Sequence, residues 1–168
     1  MRSLYCLLLL LTNSGAFATH ISGGYIQVTP VVGQALTYRI TVSLYYNMVT
    51  GSAAAAAATD LTVCFGDNSR AKSVGRSGTR LIPGAQGSLS INEYSTVYTY
   101  GGADTYTIQA TAINRNDFSR NIGGGKSAST AFSVRTVVQI QGGAGRQNQT
   151  PLPSLPATGL VVSMNQRV

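Results

Sequence analysis

A long alternation of hydrophobic and polar residues dominates the first half of the chain. Between residues 36 and 46, apolar or aromatic side chains occupy every second position, and mostly Thr, Arg and Ser lie between them. A period of two is typical of a β-strand that buries one face. The pattern therefore predicts a long, half-buried strand over residues 36–46.

Other segments share this character and are separated by Gly, Asn and Asp residues. Val, Ile, Thr and Tyr are abundant in them, which favours extended structure, and Pro30 closes the first. The predicted strands are residues 25–29, 61–65, 94–100, 105–113 and 131–140. Short strands punctuated in this way predict an all-β sandwich.

Two stretches interrupt the strand pattern. Residues 69–90 are polar, basic and rich in Gly, so we expect a long loop with at most one short strand near residues 81–82. Residues 53–58 are consecutive alanines. Such a run is too short to hold a helix by itself in water, and we expect an inserted loop whose shape the sequence does not specify.

The first residues have the features of an export signal. Arg2 precedes an apolar run over residues 4–11, and Ala-Phe-Ala at residues 16–18 matches a signal-peptidase site. The run is too short to span a bilayer. We therefore expect a signal peptide over residues 1–18, a secreted chain at the cell surface with no membrane span, one domain over residues 19–141, and a Gly/Pro-rich tail or linker over residues 142–168.

Charge and cysteine content limit the kinds of partner and the covalent cross-links that the chain can have. The net charge is +7, with only 10% charged residues, which either favours an acidic partner or reflects a scarcity of acids. Export argues against nucleic acid as that partner. After signal cleavage only Cys64 remains, so we expect no intrachain disulfide, and we expect Cys64 to be a buried small hydrophobe with a structural role.

Residues with catalytic chemistry are few. The chain has a single histidine, His20, and five dispersed acidic residues, so neither a zinc motif nor a Ser-His-Asp triad is present in the pattern. We therefore predict a protein that is not an enzyme and has no cofactor. Asn114, Asn116 and Asp117 offer alternate oxygen ligands for calcium, although neighbouring arginines oppose a cation.

Tyrosines and basic residues are the remaining candidates for binding. Tyrosines on strands either form a contact patch for a ligand or pair with one another across the sheet, and the sequence leaves both open. The candidate binding residues are Tyr45, Tyr46, Tyr98, Arg70, Lys72, Arg76 and Arg80.

Three short segments together resemble a PKD-like domain. They are Cys-Phe-Gly-Asp-Asn at residues 64–68, Val-Tyr-Thr-Tyr at 97–100 and Asp-Thr-Tyr-Thr-Ile at 104–108. The resemblance implies an immunoglobulin-like (PKD-like) β-sandwich of about seven strands. Independently of it, we expect Asp67 to accept backbone N–H bonds in a turn, and Tyr106 to bury its ring and bond back across a corner.

A longer, ordered series of segments is similar to the N-terminal domain of secreted gliding-motility-associated surface proteins of Bacteroidota. The series comprises residues 19–26, 38–41, 114–116, 131–134 and 148–151. The chain departs from that family at residues 45–48, where Tyr-Tyr-Asn-Met replaces Tyr-Arg-Asp-Cys. The resemblance implies surface export and the same fold, but no catalytic activity.

A sandwich without catalytic residues is expected to act by contact. The leading hypothesis is a secreted structural or adhesion protein that assembles into a filament or sheath, its extended ends at residues 19–25 and 142–168 adding strands to a neighbouring copy. The alternative is a carbohydrate-binding accessory module that uses the tyrosines and the basic segment against a surface glycan.

Overall fold

The computed structural model describes residues 21–82, 89–112, 131–142 and 148–151, which form seven strands and one helix. Within these residues, no helix is both long and apolar enough to cross a bilayer. In chain order the elements are β1 (Ile21–Pro30), β2 (Thr37–Asn47), α1 (Met48–Ala57), β3 (Asp60–Cys64), β4 (Lys72–Ile82), β5 (Leu89–Thr99), β6 (Asp104–Ala112) and β7 (Phe132–Ile140).

The strands form one nearly closed antiparallel sheet in the order β1-β2-β5-β4-β3-β6-β7. Residues 76–82 of β4 pair with β5, whereas residues 72–75 pair with β3. The sheet therefore folds over at β4, with β1, β2 and β5 on one side and β3, β6 and β7 on the other. This is the A-B-E-D and C-F-G arrangement of immunoglobulin domains, so the predicted fold class is confirmed.

Strand β2 supplies the centre of the core, and the residues that it buries are those that the alternation predicts. It pairs with β5 over eleven consecutive residues without a shift in register. Burying one large apolar side chain contributes about 1.5–3 kcal/mol, so this row is a main source of stability. Its inward side chains, none more than 2% exposed, are Tyr38, Ile40, Val42, Leu44 and Tyr46.

The prediction of a loop over residues 69–90 is wrong for residues 72–82, which form β4. Most side chains of this strand are exposed, and Val74 is its only residue in the hydrophobic core. A strand that passes between two layers has no continuous buried face, so its sequence lacks the alternation on which the prediction depended. Its register shifts between Arg76 and Gly78, which marks the bend.

The alanine run belongs to helix α1, because the rest of the protein binds its carbonyl groups. Asn92 and Arg76 donate to the Ala55 carbonyl at 2.8 and 2.7 Å, and the Tyr94 hydroxyl donates to the Ala58 carbonyl at 2.8 Å. Asn47 caps the helix start by accepting from the Val49 N–H at 2.9 Å. These tertiary bonds stabilise a segment whose length alone predicts no helix.

The sheet stops short of closing between β1 and β7. Six antiparallel pairings in series leave the first and last strands running in the same direction, and no ladder joins them among the described residues. We call this gap the seam. Thr150 bonds to the free edge of β1: its N–H donates to the Val28 carbonyl at 3.1 Å, and its hydroxyl accepts from the Val28 N–H at 2.8 Å.

Candidate functional site

The Phe-Gly-Asp-Asn turn after β3 is a rigid corner of the molecule. Gly66 and Asn68 both have positive φ angles, of 85° and 62°. A Cβ at Gly66 would lie 2.5 Å from the Thr107 carbonyl oxygen. The turn therefore requires glycine for its conformation and for the close approach of β6.

Asp67 in this turn binds groups from the backbone and from β5. Its carboxylate accepts from the Ser69 N–H at 3.1 Å, as expected of a turn residue, and from the Tyr98 hydroxyl at 2.5 Å. Burial raises the pKa of Asp67, but hydrogen bonds from Ser69 and Tyr98 outweigh it, so the pKa of the carboxyl lies below its ordinary value. The same bond to Asp67 raises the pKa of Tyr98.

Four aromatic rings pack beside the turn, and we call them the aromatic corner: Phe65, Tyr98, Tyr100 and Tyr106. Phe65 stacks on Tyr98 at a centroid distance of 3.9 Å, and Tyr100 on Tyr106 at 4.3 Å. The Tyr106 hydroxyl donates to the Gly102 carbonyl at 3.0 Å, which is the bond across the corner that the sequence predicts. Burial raises the pKa of Tyr100 well above its ordinary range. These contacts make the corner structural.

The predicted binding residues do not form one patch. Tyr98 belongs to the aromatic corner, with the Lys72 ammonium 4.9 Å from its ring centroid, and Arg70 is exposed near the turn. Arg76 lies against helix α1. The assignment of Tyr46 to a binding surface is wrong, because its side chain is 2% exposed and lies in the core.

Tyr45 and Arg80 are the two predicted binding residues that share a surface. Both lie on the outer face of β1, β2, β5 and β4, where Tyr45 pairs with Ile91 and Ile91 with Arg80. They project from strands, not from a basic loop.

Cys64 is exposed, which corrects the prediction that it is buried. Leu61, Val63 and Phe65 are the buried residues of this segment, so the two-residue period places Cys64 on the opposite face. The three calcium candidates, Asn114, Asn116 and Asp117, lie outside the described residues. Across the ranges that are described, no group of three or more His, Cys, Asp or Glu side chains converges to hold a metal ion.

The seam contains a groove that the sequence analysis did not identify. It encloses about 380 Å³ and is lined by residues 24–26 of β1, residues 134–136 of β7, and Thr150 with Pro151. Since β1 and β7 are 110 residues apart in the chain, no local pattern brings them together. Two strand edges on opposite walls give the groove backbone donors and acceptors as well as apolar side chains.

The direction of the free backbone groups on β1 follows from Thr150. The N–H and C=O of one residue point to the same side of an antiparallel strand, and successive residues alternate. Both backbone groups of Val28 point away from β2, since they bond to Thr150. The corresponding groups of Ile26 and Gly24 therefore point into the seam, where an added strand would find them.

No protein-family model matches the chain, and no match was found among curated proteins or among solved structures. The resemblances drawn from short segments of the sequence therefore stay predictions.

Proposed function

We propose that this chain is a secreted, non-enzymatic structural or adhesion protein of the cell surface, and that copies assemble into a filament or sheath by adding a strand at the seam. The observation that carries the proposal is the groove between two parallel edge strands. Since β1 and β7 run in the same direction, one added strand can pair antiparallel with both of them and close the sheet. It would also bond to the free backbone N–H and C=O groups of Gly24 and Ile26.

Of the two predicted donor ends, residues 19–25 and 142–168, the first fits the proposal poorly. Residues 21 and 23–25 already pair with β2. In the second end, Thr150 bonds to Val28 and Pro151 lines the groove. We therefore propose that the donor lies beyond Pro151.

The sequence beyond Pro151 contains one suitable donor. Leu-Val-Val-Ser-Met at residues 160–164 is free of proline and rich in residues that favour strands. The preceding residues 152–159 include Pro153 and Pro156, and a spacer of this length can span about 25 Å when extended. We propose that this reach carries the donor to the seam of a neighbouring copy.

The test compares two lysine variants of the full chain by negative-stain electron microscopy and size exclusion. Thr136→Lys places a charge in the groove, whereas Gln139→Lys adds the same charge at an exposed position of the same strand. We expect fibres from the wild type and from Gln139→Lys, and dispersed particles from Thr136→Lys.

A second pair tests the donor. Val162→Pro removes a backbone donor within the proposed strand, and Thr158→Pro places proline before it. We expect only Val162→Pro to abolish the fibres. Monodisperse wild-type protein at high concentration, or fibres that survive Thr136→Lys, would contradict the proposal.

A further inference from the structure

Two tyrosines form a platform on the outer face of the sheet. The ring centroids of Tyr25 and Tyr45 lie 6.2 Å apart at an interplanar angle of 38°. Both side chains are half-buried. Gly23 lies opposite Tyr45 on β1, and a Cβ there would come within 3.8 Å of the Tyr45 ring. At that distance a Cβ would make an ordinary van der Waals contact with the ring, so the ring lies close against β1.

The residues beside the platform hold it in place. Ile91 pairs with Tyr45 and is fully buried, yet it is separate from the hydrophobic core. Ser43 lies between Tyr25 and Glu93 in the register and is 1% exposed. Within the described part of the chain its hydroxyl has no hydrogen-bond partner. A buried polar group without a partner is rare, and Ser43 is too buried to contact a ligand directly.

Charged groups flank the rings. In the register, Ile91 lies between Tyr45 and Arg80, and Glu93 pairs with Ser43. Burial raises the pKa of Tyr45, with Tyr25 and Glu93 adding to the rise and Arg80 opposing it. Arg80 is exposed, and Arg39 is exposed on the same face along β2. With a net charge of +7 for the chain, this surface favours an anionic ligand.

We infer that the outer face centred on Tyr25, Tyr45 and Arg80 is a binding site for an acidic polysaccharide containing uronic acid residues. Sugar rings present apolar C–H faces that pack on aromatic side chains, while the Arg80 guanidinium matches a carboxylate with two N–H donors. Glu93 accepts from sugar hydroxyls beside it. The assignment adds an adhesive face to the assembly proposed above, and it does not depend on that assembly.

Affinity electrophoresis of the full chain in gels containing polygalacturonate tests the site, with hydroxyethylcellulose gels as the neutral comparison. We expect retardation by polygalacturonate alone. Tyr45→Ala should weaken the apparent affinity about tenfold, and Arg80→Gln about threefold, with a smaller dependence on salt. Val137→Ala, an exposed residue on β7, is the matched control and should leave the affinity unchanged.

Three outcomes would overturn the inference: no retardation of the wild type, equal retardation of Tyr45→Ala, or retardation by the neutral polymer only. Arg80 is exposed, so Arg80→Gln keeps the test valid if Tyr45→Ala fails to fold. Tyr25 lines the seam groove, but Tyr45 and Arg80 do not, so both substitutions fall outside the groove. Loss of polysaccharide binding with fibres intact, or the reverse, therefore separates this site from the proposed assembly.

Discussion

The aromatic corner and the seam lie at two junctions of the same sheet, and they differ in how their contacts are made. At the corner, stacked rings and short hydrogen bonds join β3, β5 and β6 through Phe65, Tyr98 and Tyr106. At the seam, no ladder joins β1 and β7 within the described ranges, and Thr150 bonds to the edge of β1.

Because of this difference, we assign the corner to the stability of the fold and the seam to contact with other molecules. Residues whose polar groups are all paired within the chain have little left to offer a partner, whereas an edge strand presents unpaired N–H and C=O groups. We therefore expect substitutions at the corner to change the free energy of unfolding, and substitutions at the seam to change assembly.

Gly66→Ala should destabilise the fold by about 3 kcal/mol, because it combines a positive φ with a backbone clash at Thr107. Gly33→Ala is the matched control: its φ is 76°, but nothing lies within 4 Å of a Cβ there, so we expect only about 1 kcal/mol. Urea unfolding followed by circular dichroism measures both. Equal losses would show that the corner is not closely packed.

Asn92→Ala should cost about 2 kcal/mol. The Asn92 side chain is fully buried, donates to the Ala55 carbonyl, and accepts from the Ser90 and Thr79 hydroxyls at 3.2 and 3.3 Å. The same urea titration, with the helical signal near 222 nm, should show loss of α1 first. A loss of less than about 0.5 kcal/mol in the free energy of unfolding would mean that the alanine helix stays folded without the bond from Asn92.

Tyr98→Phe should cost about 1 kcal/mol at neutral pH by removing the bond to Asp67. The folded pKa of Asp67 is lowered, so this contribution is present above the unfolded pKa of about 3.9 and is lost as the pH falls through the folded pKa. Unfolding free energies of both proteins between pH 7 and pH 2 should converge at the acid end. A constant difference would contradict the role given to Asp67.

Thr150→Val should have the smallest effect on folding, about 0.5 kcal/mol, because it removes one hydroxyl acceptor at the edge of β1. Thr150→Ser keeps the acceptor and is the matched control. Thermal unfolding of the two variants measures the difference. A loss comparable to that of Gly66→Ala would mean that the seam, and not the corner, holds the sandwich together.

Elements with a strong local pattern could be predicted from the sequence. The alternation along β2 predicts the buried face correctly, the Phe-Gly-Asp-Asn turn indicates the role of Asp67, and the place of Tyr106 in a late strand indicates its bond across the corner. The prediction for Cys64 is wrong because it follows the chemistry of cysteine and not the period set by Leu61 and Val63.

Elements that depend on distant contacts could not be predicted. Strand β4 bends between layers and has no continuous buried face, and helix α1 exists because Asn92, Tyr94 and Arg76 bind its carbonyl groups. The seam and the tyrosine platform arise from the order and register of strands that are distant in the sequence. Tyr25 and Tyr45 are neighbours only through the register of β1 with β2.

The measurement that tests the central claim most directly is hydrogen exchange of backbone amides in dispersed and assembled wild-type protein. On assembly we expect protection to rise at Gly24 and Ile26, on the free edge of residues 134–136 and at residues 160–164, while the β2 and β5 amides, already paired, stay unchanged. Protection confined to the face of Tyr45 and Arg80, or none at the seam, would contradict assembly by strand addition.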